Sequence, residues 1–164
     1  MIMKRISKKT TLRILVSGLF LQVCLLLSAQ GQMTFAGKWE IDHSKSDAEF
    51  KDYQVFCNIV QSASAISVEQ IIIMKDGSKT SMPAIIYNLD GKAVTKEEQG
   101  GTNKISSTLS PDKRTLSTKF VRTMNGADYG SKTTYTLSAD GKTLTVKTCD
   151  LKDESPMIQV YNRK

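Results

Sequence analysis

Leu137-Ser138-Ala139-Asp140-Gly141-Lys142-Thr143-Leu144-Thr145-Val146-Lys147-Thr148-Cys149 is the stretch on which the reading of the fold turns. From Thr143 onward polar and apolar residues alternate with a period of two, the repeat of a strand with one buried and one wetted face. Before it, Asp140 and Gly141 combine a side chain that accepts hydrogen bonds from the backbone ahead of it with a residue that tolerates positive φ, and so mark a tight turn. The arrangement recurs at Leu109-Ser110-Pro111-Asp112-Lys113 and, more weakly, at Leu89-Asp90-Gly91-Lys92. Two of the three copies continue alike, as Thr115-Leu116-Ser117 and Thr143-Leu144-Thr145. The spacing drifts between copies, so this is one turn solution used repeatedly and not a solenoid.

Working outward from this stretch, apolar residues nowhere recur at three and four, and β-branched residues abound. The pattern predicts ten strands, over residues 35–41, 53–61, 66–74, 79–89, 93–98, 103–109, 115–123, 131–137, 143–149 and 157–161. Asp76-Gly77, Asp90-Gly91 and Asp140-Gly141 read as hairpins, and so does Gly100-Gly101. Residues 42–52 form the longest early connection and could hold a short helical turn capped by Ser46 or Asp47, lying across one mouth of a barrel. Residues 124–130, with Gly126 and Gly130, read as a flexible loop.

Alternation also assigns inward faces: Trp39 with Ile41, Tyr53 with Val55 and Ile59, Ile66 with Val68, Ile85 with Tyr87 and Leu89. Leu116 with Phe120, Tyr135 with Leu137, Leu144 with Val146, and Ile158 with Val160 complete the set. Half-buried strands must pair with a second sheet or close on themselves, because open edges invite aggregation. Short sequential connections favour closure over a sandwich, whose Greek keys need long crossings. The expected fold is all-β, an antiparallel up-and-down β-barrel of about 8–10 strands.

The N-terminal segment has a different character. Lys4, Arg5, Lys8, Lys9 and Arg13 precede an apolar run from Ile14 to Leu27, followed by Ser28-Ala29-Gln30-Gly31. This is the order of a secretory signal, and residues 1–30 are expected to be cleaved, between Ala29 and Gln32, leaving a single domain over 31–164. A run of 14 residues is short of the ~20 that a spanning helix needs, so no membrane span is expected after cleavage. The residues before Cys24 are not the small ones a lipidation signal requires. The expected location is therefore secreted or periplasmic, in a bacterial envelope.

Subtracting the signal changes the electrostatics. The whole chain carries 23 basic and 16 acidic residues, a formal +7; without the five basic residues of the signal, 18 basic stand against 16 acidic, or +2. The remaining charges are interspersed, as at Asp47, Glu49, Lys51 and Asp52, and at Lys92, Lys96, Glu97 and Glu98. A nucleic-acid partner, which needs clustered basic residues, is not expected.

Two cysteines remain, Cys57 and Cys149. An even count outside the cytoplasm points to a disulfide, worth roughly 4–5 kcal/mol for a loop of this length. Two free buried thiols are the alternative. Cys57 shares a phase with Val55 and Ile59, whereas Cys149 is out of phase with Leu144 and Val146, so a bridge would need a bulge or a strand end.

Gly37-Lys38-Trp39 resembles the G-x-W element that opens lipocalins, and the run from Phe35 to Asp47 resembles the start of small bacterial exported lipocalin-like domains. The resemblance implies a barrel floor: the glycine admits a close strand approach, the indole of Trp39 plugs the end, and a basic residue near the chain end stacks over it. Arg163 is the counterpart here. The triple-motif pattern and a C-terminal helix of the ligand-carrying lipocalins are not recognisable.

The residues that could carry chemistry are few. His43 is the sole imidazole, and with Asp42, Asp47 and Glu49 in one turn it does not form a metal set, so neither a metal nor a cofactor is expected. No serine stands in a nucleophile elbow. Glu97-Glu98 and Asp153-Glu154 are adjacent, and adjacent strand residues point to opposite faces. Phe56, Tyr87, Thr118, Phe120, Thr133 and Tyr135 either fill the barrel or line a cavity, and Met74, Met82, Met124 and Met157 could add adaptable lining. The expectation is a non-enzymatic binding protein for a small hydrophobic or amphipathic ligand. The alternative is an envelope protein-interaction module, an inhibitor or assembly accessory with a filled core, using loop residues such as Tyr129 and Phe50. A hydrolase or isomerase built on His43 is the weakest reading.

Overall fold

Period-two alternation is realised as ten strands in a computed structural model that describes residues 33–98, 100–153 and 155–164; the predicted signal lies outside these residues. The strands are β1 Gly37–Ile41, β2 Tyr53–Gln61, β3 Ala65–Met74, β4 Lys79–Asn88, β5 Val94–Glu98, β6 Gly101–Leu109, β7 Thr115–Met124, β8 Ala127–Leu137, β9 Thr143–Asp150 and β10 Met157–Arg163. They form one sheet in the order β4-β3-β2-β1-β10-β9-β8-β7-β6-β5. Every ladder is antiparallel, and β1 lies between β2 and β10.

The sheet coils until its two ends meet without a ladder. β4 touches β6, and Ser107 Oγ donates to the Asn88 carbonyl at 2.5 Å where a backbone bond would otherwise stand. The result is a nearly closed up-and-down barrel with one seam, between β4 and β5. Asp90-Gly91 joins those two unpaired strands and is therefore not a hairpin turn; Leu89 instead donates to Ser64, in the β2–β3 turn, at 2.8 Å. β4 suits an edge because Pro83 has no N–H to contribute. A bulge places two residues of β4 opposite one of β3, between the Val68↔Ile85 and Gln70↔Met82 pairs.

The repeated turn motif is repeated in structure. Ser110 and Ser138 each donate a hydroxyl to the aspartate two residues on, at 2.5 and 2.6 Å, and each accepts from the backbone of Thr115 or Thr143 at 2.9 Å. The predicted loop at 124–130 is instead a two-residue turn. Asn125 and Gly126 take φ of 50° and 77°, the pair of positive values that a type I′ hairpin needs, and β8 begins at once.

The connection at 42–50 holds a 3₁₀ turn, Ala48–Phe50, whose N-cap residue Asp47 makes no side-chain cap. Its carboxylate accepts instead from Ile158 N at 2.6 Å, and Ser46 Oγ accepts from Val160 N at 2.9 Å. The segment thus runs along β10, prolonging the line of β1, and these polar side chains serve the sheet edge. The expected inward pair Ile158 and Val160 faces outward beside this segment: Val160 pairs with Thr145, out of phase with the core residues Leu144 and Val146. Tyr161 takes the inward place and is fully buried.

The expected disulfide is absent: both cysteines are free. Cys57 faces inward, opposite Trp39 and Gln70, whereas Cys149 lies opposite Lys132 on the outer face. Three strand spacings of about 4.8 Å also separate β2 from β9. Facing opposite sides of the wall, the sulfurs cannot meet.

Packing is concentrated at one end. Phe35, Trp39, Ile66, Leu116, Leu137, Leu144 and Tyr161 are wholly buried there, each contributing roughly 1.5–3 kcal/mol of apolar burial.

Candidate functional site

The barrel interior has three levels. At the floor, Trp39 Nε1 donates to the Phe35 carbonyl at 2.9 Å. Arg163 lies over the indole with its guanidinium carbon 4.2 Å from the ring centroid. Its nitrogens donate to the carbonyls of Ala36, Thr34 and Gly141 at 2.5, 2.7 and 2.8 Å. Gly37 has φ 138°, and a Cβ there would sit 2.7 Å from Arg163 Nη1. Gly37, Trp39 and Arg163 thus meet at one place, joining both ends of the domain to the β8–β9 turn.

Above the floor lies a polar layer. The hydroxyls of Tyr87 and Tyr135 meet at 3.2 Å, their rings 5.9 Å apart, joining β4 to β8 across the interior. Thr118 Oγ1 donates to the Thr133 carbonyl at 3.3 Å, and the hydroxyls of Thr133 and Thr148 lie 3.2 Å apart. Gln70 Nε2 lies 3.8 Å from Cys57 Sγ. The Tyr161 hydroxyl lies beside Cys57 and Gln70 but makes no hydrogen bond of normal geometry. Burial raises the pKa of Tyr87, Tyr135, Tyr161 and Cys57, since no cation compensates for taking a phenolate or thiolate out of water.

The third level opens to solvent. Inward-phase apolar side chains from many strands are exposed there: Tyr53 on β2, Met74 on β3, Met82 and Ile85 on β4, Phe120 on β7, Tyr129 on β8 and Met157 on β10. Ile85 retains 46% of its accessible surface and Tyr129 53%, although both stand on the concave side of the sheet. Exposed apolar groups gathered in a concavity mark a binding surface more often than scattered ones do. Lys96, Glu98, Arg122 and Asp150 share this face near the rim, where Arg122 Nε lies 3.1 Å from Met124 Sδ. Lys152 sits 4.6 Å over the Tyr129 ring.

Of the expected lining residues, Tyr87, Thr118, Thr133 and Tyr135 stand in the polar layer and Phe120 at the mouth. Phe56 does not join them. It pairs with Glu40 and Ile71, between the inward residues Val55 and Cys57, and so faces outward. Two contributors, Tyr161 and Gln70, escaped sequence reading, whereas Met82 is among the expected adaptable lining. Tyr161 is in phase with Arg163, and pairing Arg163 with Trp39 would have pointed it inward. Met82 shares a face with Ile85 only because the Pro83 bulge corrects a three-residue offset. Gln70 carries no signal of its own.

Residues around His43 are engaged otherwise. The Asp42 carboxylate accepts from Ser44, pairs with Lys45 at 2.9 Å and accepts from Asn162, and these contacts hold it far below the usual carboxylate range. Among the described residues no three His, Cys, Asp or Glu side chains converge on a common point. Among them, too, no helix is long and apolar enough to cross a membrane.

No protein-family model matches the chain, and no curated protein matches it. Among solved structures, the chain is similar to a secretory abundant heat soluble protein from Ramazzottius varieornatus, with 14% identity over 82% of this chain and 100% of that chain, at a TM-score of 0.48.

Proposed function

We propose that this chain is an exported, non-enzymatic lipocalin-like protein that takes a small hydrophobic or amphipathic molecule into the open end of its barrel. The observation that carries this reading is the ring of exposed apolar side chains, Met82, Ile85, Phe120 and Tyr129 among them, set on the concave face above buried hydroxyls. An apolar body rests on that ring while a polar group reaches the charged rim or the hydroxyl layer. Methionines at 74, 82 and 157 adapt to differing shapes at low cost. The basic and apolar N-terminal segment supports export.

Titration with a polarity-sensitive dye, followed by displacement with single-chain amphiphiles, tests the binding. Saturable enhancement that amphiphiles reverse is the expected result. No enhancement, or enhancement that survives Ile85→Glu together with Phe120→Glu, overturns the reading. Fractionation of the expressing cell tests export, and N-terminal sequencing of the exported protein tests cleavage; retention in the cytoplasm contradicts the first and a start at residue 1 the second.

A further inference from the structure

The outer wall carries a feature that ligand binding in the barrel does not use. Lys104 on β6, Lys119 on β7, Lys132 on β8 and Lys147 on β9 all point outward and are exposed. Lys119 and Lys132 are directly opposed in the β7–β8 ladder, and Lys147 is diagonal to Lys132, which faces Cys149. Like charges directly opposite one another destabilise a sheet. Among the described residues no carboxylate lies within 4 Å of any of the four ammonium groups. The acidic groups sharing the face sit toward the mouth and take other donors: Glu97 accepts from Thr102 at 2.9 Å and Asp128 from Thr123 at 2.7 Å.

The same wall is hollowed. A depression of about 410 Å³ lies over β6 and β7, walled by Lys104 and Lys119, by the hydroxyl-bearing Thr102, Ser106 and Thr123, by Val121, and on its mouth side by Asp128, whose carboxylate is taken by the Thr123 hydroxyl. The residue facing Val121 is Gly130, where a Cβ would come within 2.0 Å of the Phe120 carbonyl oxygen, so the backbones approach closely and no side chain stands there. Beyond the depression the outer positions remain hydroxyl-rich, with Ser117, Thr134 and Thr145 around Lys147 and Lys132.

We infer that the outer face of β6 to β9 binds an acidic polysaccharide bearing sulfate or phosphate groups. The four ammonium groups lie on successive strands about 4.8 Å apart, a row of charges crossing the sheet as the anionic groups of an extended chain would. The flanking hydroxyls match a polyhydroxylated partner. The face lacks the aromatic platforms on which nucleic-acid bases stack. Nor does it present the large apolar side chains that insert into a membrane interface. This surface is separate from the barrel mouth, so the inference stands whether or not an amphiphile binds there.

Protein expressed from the full chain is tested against immobilised dextran sulfate, with neutral dextran, single-stranded DNA and anionic phospholipid vesicles as comparators. Retention on dextran sulfate but not neutral dextran is expected, weakening at least tenfold between 50 and 500 mM salt as the charges are screened. The Lys119→Glu, Lys132→Glu double variant is expected to lose at least tenfold in affinity. Lys119→Glu alone, which turns a like-charge pair into an opposite one, is expected to lose affinity with a melting temperature unchanged or raised. Absence of binding, binding that persists in the double variant, or equal or tighter binding to DNA or vesicles overturns the assignment.

Discussion

The hydroxyls of Tyr87 and Tyr135 meet at 3.2 Å inside the barrel, joining a seam strand to the opposite wall. They therefore do by side chain what the missing β4–β5 ladder does not do by backbone. Removing the Tyr87 hydroxyl leaves that of Tyr135 buried without a partner, at about 1–3 kcal/mol, removing that of Tyr135 leaves Tyr87 only Thr118 beside it, and removing both costs less than the sum. A double-mutant cycle of Tyr87→Phe and Tyr135→Phe, read by denaturant unfolding, is expected to show a coupling of about 1 kcal/mol. Strict additivity would show that the contact contributes nothing.

Alkaline stability follows from the same layer. Tyr87, Tyr135 and Tyr161 have pKa values raised above the ordinary value of 10.0, chiefly by burial. A folded-state pKa above the unfolded one means that stability is fully present below pH 10 and is lost as pH rises beyond it, by up to ~1.4 kcal/mol per pH unit for each tyrosine. Thermal unfolding followed from pH 8 to 12 should show a flat region and then a steep decline. Tyr161→Phe should make that decline shallower; a profile unchanged by the substitution would contradict the assignment.

The floor predicts a sharp difference between two conservative changes. Arg163→Lys retains a charge near Trp39 but cannot reach the three carbonyls of Thr34, Ala36 and Gly141 with one fork, and is expected to cost about 2–3 kcal/mol. Gly37→Ala forces a Cβ toward Arg163 from a φ of 138° and is expected to cost a similar amount. Two variants within 0.5 kcal/mol of the parent by chemical denaturation would remove the floor from the account.

The thiols are expected to behave independently. Cys57 is buried with its pKa raised by that burial, while Cys149 is partly exposed on the outer wall. Non-reducing intact mass should show two free thiols, and Ellman's reagent should label Cys149 before Cys57. A mass two units low, or a melting temperature that falls on reduction, would instead require a bond between opposite faces of the sheet.

The ten strands are legible in the sequence because period-two alternation and Asp-Gly turns are local signals, and each predicted strand overlaps its observed counterpart. What is not legible is non-local. Asp90-Gly91 has the chemistry of Asp140-Gly141, yet only the latter joins paired strands, since the seam is decided by where the coiled sheet runs out. Ile158 and Val160 alternate correctly but face outward, because their phase is fixed by Arg163 opposite Trp39 and by the connection at 42–50 that runs along β10. Phe56 shares the aromatic character of the lining residues, but its neighbours Val55 and Cys57 place it in the other phase. The cysteine pair failed for the same reason, with even count outweighing phase.

The mouth is the central element of the account, and backbone amide shifts of isotopically labelled protein titrated with a single-chain amphiphile test it most directly. Perturbations that saturate and concentrate at Met82, Ile85, Phe120 and Tyr129, with the outer-face Lys119 and Lys132 unmoved, are the predicted result. No saturable shifts, or shifts confined to the outer wall, would contradict it.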